Sequence, residues 1–353
     1  VTRGIANVTG ENVTGIFIDG MSVTHLINTL DLTQFKYLEV IRGPQATLYG
    51  RSTFAGAVNL VTQSPLDNSN NSFSLGLGEG NRTQANLNTG YAFSEQFAVQ
   101  FNGQVKSKDG EYKNTLGDGG GVLNQQDNTS YTISAAYKSK DELLNAKLIH
   151  INSSDDDSGY PVVLQDAESN NCFLDSRRQY YCGELKTPDS IGFNNSALNS
   201  IPLESGYNSE SDLTIASLSS QLSDTQLLSF KLAHSTNSTF YLVDGDYSEV
   251  PFSWIGVETE NDATEFELSA NSSWSDTITT LFGLMRYNSD STSIIDSYFP
   301  VNNIFSPTRV RNARSSVENT AVFGSVTYKL NSDSDLIADI RWSKESITFA
   351  NPS

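Results

Sequence analysis

From Ser72 onward, short runs of residues alternate between apolar and polar. This two-residue period limits the fold more than any other feature of the chain. Phe97, Val99, Phe101 and Val105 alternate with Gln100, Asn102, Gln104 and Lys106. Tyr131, Ile133, Ala135 and Tyr137 alternate with Thr132, Ser134 and Lys138. The same pattern recurs around Leu228, Phe230 and Leu232, around Phe266, Leu268, Ala270 and Trp274, around Val322, Val326, Tyr328 and Leu330, and around Leu336, Ala338, Ile340 and Trp342. Successive side chains of a strand point to opposite faces, so each run predicts a strand with one apolar and one polar face. Eleven strands are predicted, near 72–79, 83–93, 97–107, 128–138, 142–152, 211–222, 226–242, 260–274, 277–289, 317–330 and 335–348.

A soluble sandwich with one wet face would show the same alternation. The connections separate the two. Short links at 94–96, 139–142, 223–225, 275–276 and 331–335 take turns with long polar links near 108–127, 153–210, 244–260 and 291–316, apart from a tight first loop at Gly80-Asn81-Arg82. Outer-membrane barrels keep that order, with tight turns on one side and long loops on the other. Tyr91, Phe93, Phe97, Tyr137, Trp274 and Tyr328 cluster near the short turns, as rings do at a membrane–water interface. An odd strand count leaves an edge that hydrocarbon cannot satisfy. The barrel is therefore expected to continue beyond Ser353, and the sequence to be incomplete at both ends.

Composition narrows the function classes. A net charge of −19 argues against nucleic acid as a partner. Hydrophobic residues make up only 37% of 353, little for a soluble enzyme of this length but enough for a barrel with a wet interior. No run of 18 apolar residues is present, so no transmembrane helix is expected. Cys172 and Cys182, with nine residues between them in a polar stretch, suggest a loop disulfide and an oxidising compartment. His25, His150 and His234 are too scattered for a metal site. No catalytic set, cofactor motif or metal cluster stands out.

Residues 1–66 have a different texture and are expected to form a separate α+β unit, with 67–353 forming the barrel. Strands are predicted at 13–20, ending in Asp19-Gly20, at 37–41 and at 55–62. A short helix is expected to start between Asp31 and Phe35. Residues 39–62 read EVIRGPQATLYGRSTFAGAVNLVT. This stretch closely resembles the plug signature of TonB-dependent outer-membrane receptors, carried here by Glu39, Arg42, Gly43, Pro44, Leu48, Tyr49, Gly50, Gly56 and Asn59. The upstream segment ending in Asp19, Gly20 and Met21 resembles the family's Asp-Gly-Val, and Arg3-Gly4-Ile5 its earlier Arg-Gly-Ile. Ala55 departs from the usual Gly-Gly pair.

The resemblance implies a transmembrane antiparallel β-barrel of about 22 strands, half of them present here, with an α+β plug domain in the lumen. It implies a receptor and not an enzyme, in the outer membrane of a Gram-negative bacterium. Uptake would be driven by the TonB-ExbB-ExbD complex pulling on a TonB box that this sequence does not contain. The nutrient would be an iron–siderophore complex, or alternatively cobalamin, haem or an oligosaccharide. Outer-membrane lipid and lipopolysaccharide would surround it. Glu39 and Arg42 are expected to be buried inside the barrel and so to make ion pairs or backbone hydrogen bonds. In the long loops, Arg309, Arg311 and Arg314 could meet an anionic chelate, and Trp254 and Tyr298 could stack on it; solvated cations and loop packing are the plainer readings. The rival classes are a passive outer-membrane channel, against which residues 1–63 count, and a secreted β-rich enzyme or adhesin.

Overall fold

The structure, a computed structural model, describes residues 14–23, 34–43, 47, 49–50, 53, 55–67, 71–110, 112–113, 122–158, 172–175, 178–180, 206–244, 254–301 and 304–350. Two sheets carry the fold. The first contains β1 (Thr14–Ile18), β2 (Met21–Ser22), β3 (Phe35–Arg42) and β4 (Gly56–Thr62), in the order β2-β1-β4-β3. β1 runs parallel to β4, while β2 and β3 are antiparallel to their neighbours. Gly56 begins β4 with φ at +148°, and a Cβ there would lie 2.4 Å from the Ile41 carbonyl oxygen. No other residue fits that crossing of β3 and β4 without moving backbone. The helix expected near Asp31 falls largely on residues outside the description; Gln34 is 3₁₀-helical and Phe35 already belongs to β3.

The second sheet holds the eleven long strands: β5 (Ser72–Gly78), β6 (Arg82–Ala92), β7 (Phe97–Lys108), β10 (Gln126–Lys138), β11 (Leu144–Ser158), β14 (Gly206–Ser223), β15 (Gln226–Asp244), β16 (Trp254–Ser273), β17 (Ile278–Val301), β18 (Ile304–Asn331) and β19 (Ser334–Ala350). Each is antiparallel to the strand before and after it in that series. Two small hairpins sit in the long links, β8 (Tyr112–Lys113) with β9 (Val122–Leu123), and β12 (Cys172–Asp175) with β13 (Arg178–Tyr180). Cys182 lies outside the described residues, and so does its expected pairing with Cys172.

The upper parts of two expected loops are strand instead. The link near 291–316 is almost entirely ladder: Ser291 pairs with Ser315, Ile294 with Asn312 and Pro300 with Phe305. The link near 244–260 ends early, because β16 begins at Trp254. Polar residues there fall on both faces, so the hydrophobic period vanishes although the backbone hydrogen bonds continue.

The outer face of this wall carries a band of exposed apolar side chains, including Phe101, Ile133, Leu148, Leu232, Phe282, Ile340 and Trp342. Above it the same face turns polar at a sharp level. On β15 the order is Leu228, Phe230, Leu232, then His234, Thr236 and Ser238; on β16 it is Ala270, Leu268, Phe266, then Thr264, Asp262 and Glu260. The collar is knit by side chains, with His150 Nε2 3.6 Å from Asp212 Oδ1 and Arg286 3.7 Å from Glu318. An apolar band ending in a polar collar is what a hydrocarbon layer with headgroups above it selects.

Candidate functional site: the junction of plug and wall

The small sheet docks on the inner face of the wall. Ile18, Met21, Phe35 and Leu60 from the small sheet form one buried cluster with Ile149, Ile151, Leu213, Ile215 and Ala233 from β11, β14 and β15. The wall departs from alternation to make this patch. Leu148 points to lipid while Ile149 and Ile151 point inward, so the strand is apolar on both faces at 148–149. Burying each such side chain is worth about 1.5–3 kcal/mol.

Below the apolar patch, charged side chains converge on one turn. Asp19 and Gly20 link β1 to β2 with φ of +50° and +83°. The Asp19 carboxylate accepts hydrogen bonds from the Thr62 amide at 2.9 Å and the Thr62 hydroxyl at 2.6 Å, closing the turn onto the end of β4. Lys147 from β11 reaches the same carboxylate at 3.1 Å and also bonds the Thr62 hydroxyl and, at 3.3 Å, the Thr62 carbonyl. Lys231 from β15 donates to the Asp19 carbonyl at 2.8 Å. Glu265 from β16, itself buried, accepts the Ser22 amide at 2.9 Å. Three wall strands thus hold one turn, and the positive φ at Gly20 spares that turn a strained side chain beside the Lys231 ammonium.

A second contact is thinner. Arg341 on β19 donates to the Thr47 carbonyl at 3.2 Å and lies beside Gly50, whose φ is +77°. Its remaining contacts are with the wall itself, the Met285 sulfur at 2.9 Å and the Phe323 ring at 5.7 Å.

The signature residues occupy the small sheet as follows. Asn59 is the hub: its carbonyl oxygen accepts the Gly20 amide at 2.9 Å and its amide donates to Glu39 Oε2 at 2.9 Å. Glu39 therefore bonds a neutral side chain in place of the expected ion pair or backbone hydrogen bond, because Asn59 stands directly across from it in the β3–β4 ladder. Arg42 differs more: it is exposed on the free side of β3, with no ion pair among the described residues. Gly43 follows β3 with φ at +92°. Tyr49 packs on Phe17 with ring centroids 4.8 Å apart, and burial together with the Glu39 carboxylate raises its phenol above the ordinary value. Pro44 and Leu48 lie outside the described residues.

The candidate ligand-contact residues sit on strands. Trp254 pairs with Tyr298 across β16 and β17. Arg311 pairs with Ile295, and Arg314 with Thr292. Three residues apart on one strand, Arg311 and Arg314 belong to opposite faces. Arg309 pairs with Asp296 across a register shift. Sequence reasoning missed Lys147, Lys231, Glu265 and Arg341 as plug-holding groups. Their only signal was charge at inward positions of the strands.

A small luminal sheet pinned to the inner face of a lipid-facing antiparallel wall defines a plugged membrane barrel. Residues 1–57 match the family described as TonB-dependent Receptor Plug Domain. It is similar to the pesticin receptor of Yersinia pestis, 40% identical over 50 residues, which are 14% of this chain and 7% of that one. It is also similar to the vitamin B12 transporter BtuB of Vibrio vulnificus, 30% identical over 98 residues, covering 28% and 16% of the two chains. Among solved structures, the ferric yersiniabactin uptake receptor FyuA from Yersinia pestis shares the fold with a TM-score of 0.69 and 14% identity, over 96% of this chain and 52% of that one. The ferripyoverdine receptor of Pseudomonas aeruginosa gives 0.65 and 14%, over 96% and 46%. The chain spans about half the length of these solved receptors and a smaller share of the sequence relatives.

Proposed function

We propose that this chain is part of an outer-membrane receptor of a Gram-negative bacterium that takes up an iron–siderophore complex by TonB-dependent active transport. The observation that carries the reading is the plug turn at Asp19–Gly20 held by charged side chains from three wall strands. A passive channel has no use for a stopper fixed in its lumen. A stopper held by ion pairs and hydrogen bonds stays closed until work is done on it. That work would come from TonB-ExbB-ExbD acting on a TonB box.

Iron–siderophore uptake is favoured over other cargo because the two solved structures named above are a ferric yersiniabactin uptake receptor and a ferripyoverdine receptor. Uptake of cobalamin is the second reading, supported by the similarity to a vitamin B12 transporter. The acidic collar would face lipopolysaccharide, and outward cations such as Arg314 would meet its phosphates.

The test is growth of a deletion strain on defined iron sources, with and without a protonophore. A defect limited to one ferric chelate, restored by the full-length gene and abolished by the protonophore, is expected. Normal growth on every chelate with a defect on cobalamin would replace the siderophore reading. Uptake that persists without a proton-motive force would overturn energy coupling altogether.

A further inference from the structure

The inner face of the wall is divided into two arcs of opposite chemistry. On β11, β14 and β15 it is the apolar patch with Lys147 and Lys231 beneath it. On β6, β7 and β10 the inward residues level with this patch are Asn86, Asn88, Gln100, Asn102, Gln104 and Thr132, all neutral, and the charges of the same face, Arg82, Lys106 and Lys108, lie at the end of the strands away from the short turns. The two arcs share the same ladder rungs: Asn102 pairs with Thr132, Thr132 with Ile151, and Ile151 with Leu213. The change from amide to apolar therefore occurs around the wall at one height, and is not a difference between its top and bottom.

Within the neutral arc the amides bond to one another. Gln100 donates to Asn88 at 2.9 Å, Gln104 to Asn86 at 2.7 Å, and Asn86 to Ser74 at 2.9 Å. Gln100, Asn102 and Gln104 are each less than a tenth exposed. Gln104 Oε1 is buried without a hydrogen-bond partner among the described residues. Among the described residues, the plug-to-wall bonds come from β11, β15, β16 and β19, and none from the amide arc.

These arcs would respond differently to a pull on the plug. Separating the plug from β11–β15 exposes isoleucine and leucine and leaves buried charges unpaired, both strongly unfavourable. Separating it from an amide surface exchanges neutral hydrogen bonds for water at little net cost. Below Lys106 and Lys108, a surface of alternating amide donors and acceptors also binds a passing hydrated solute weakly, with no fixed charge over that stretch to trap it.

We propose that the translocated solute passes along the amide arc of β6, β7 and β10, while the plug stays docked on β11–β15. The solute class is hydrated and rich in hydroxyl or amide N–H donors, for which Gln104 Oε1 is a vacant acceptor. This rests on the energy-coupled uptake reading, and the two are separable by experiment. In the full-length receptor carrying Cys172→Ser and Cys182→Ser, Asn102→Cys, Gln100→Cys and Gln104→Cys are compared one at a time with Ile149→Cys and Leu213→Cys. Whole cells in iron-limited medium are labelled with a membrane-impermeant maleimide, with and without a protonophore, and iron uptake is followed in parallel.

The expected result is a severalfold, protonophore-sensitive rise in labelling at the amide positions, with Ile149→Cys and Leu213→Cys unlabelled in both states. A rise at Ile149→Cys or Leu213→Cys, or energised uptake with no rise at the amide positions, overturns the arc assignment and leaves the uptake reading standing. Three independent amide positions keep one misfolded variant from deciding the matter. Absence of any protonophore-sensitive uptake by the otherwise native receptor removes the uptake reading and this proposal with it.

Discussion

The amide arc and the docking arc lie in one continuous sheet, share rungs of one ladder and face one lumen, yet among the described residues only the second bonds to the plug. β7 and β11 are separated by the single strand β10, and across that distance the inward residues change from Gln100, Asn102 and Gln104 to Lys147, Ile149 and Ile151. The outer faces of the two strands are alike, with Phe101 and Leu148 both exposed. Lipid imposes the same demand all round, so the difference must come from what each arc does inside. The comparison teaches that a barrel wall can carry local function on one face without disturbing the membrane signal on the other.

The most damaging change to the docking arc is expected at Asp19. Asp19→Ala removes the acceptor of two Thr62 bonds and leaves Lys147 without its carboxylate. The expected loss is roughly 3–5 kcal/mol, the scale for breaking a buried pair by deleting one partner. The readout is calorimetry of the full-length receptor in detergent, together with sensitivity of cells to a large antibiotic that enters through an unplugged lumen. Asp19→Ala cells with wild-type resistance and a wild-type receptor melting temperature would show that the turn does not hold the plug.

Next in size is the apolar patch. Ile151→Ala is expected to destabilise the receptor by about 2–4 kcal/mol, because Ile151 is fully buried between plug and wall. Gln100→Ala on the other arc should cost about 1 kcal/mol or less, the net worth of one neutral hydrogen bond. Measured side by side in the same detergent, equal losses would erase the contrast between the arcs.

How much of this contrast was legible beforehand depends on which physical signal each part leaves in a sequence. The alternation of Phe97 to Val105 or of Tyr131 to Tyr137 placed strands and the lipid face, because lipid acts on every second residue. The signature from Glu39 to Asn59 located the plug, because glycine positions and the Asn59 hub tolerate few substitutes. Lys147, Lys231 and Arg341 were not recognised, since one inward cation looks the same whether it meets water or the Asp19 turn. The loops placed at 244–260 and 291–316 failed for a related reason. There both faces are polar, and a strand held by backbone bonds alone has no hydrophobic period.

The smallest effect tests the border between the arcs, the tight turn joining β10 to β11. Ser139 donates its hydroxyl to Asp141 Oδ1 at 2.5 Å, the Leu143 amide adds a weaker bond at 3.3 Å, and Lys138 pairs with Glu142 at 2.7 Å. The Ser139 hydroxyl, and behind it the Leu143 amide, hold the Asp141 carboxyl below its ordinary value of 3.8. A carboxyl with a depressed folded pKa stabilises the folded state above its unfolded pKa, and that contribution fades as pH falls through the folded value. Asp141 is fully exposed, so the effect is small and screened by salt. Asp141→Asn should therefore lower the melting temperature slightly at pH 7, and the gap from wild type should close as pH drops below about 4. Because the turn binds neither arc to the plug, cysteine labelling at Gln104→Cys and Ile149→Cys should be unchanged by it. If Asp141→Asn raised labelling at Ile149→Cys, the β10–β11 turn would be part of the docking surface, and the border between the arcs would have to be moved to β7.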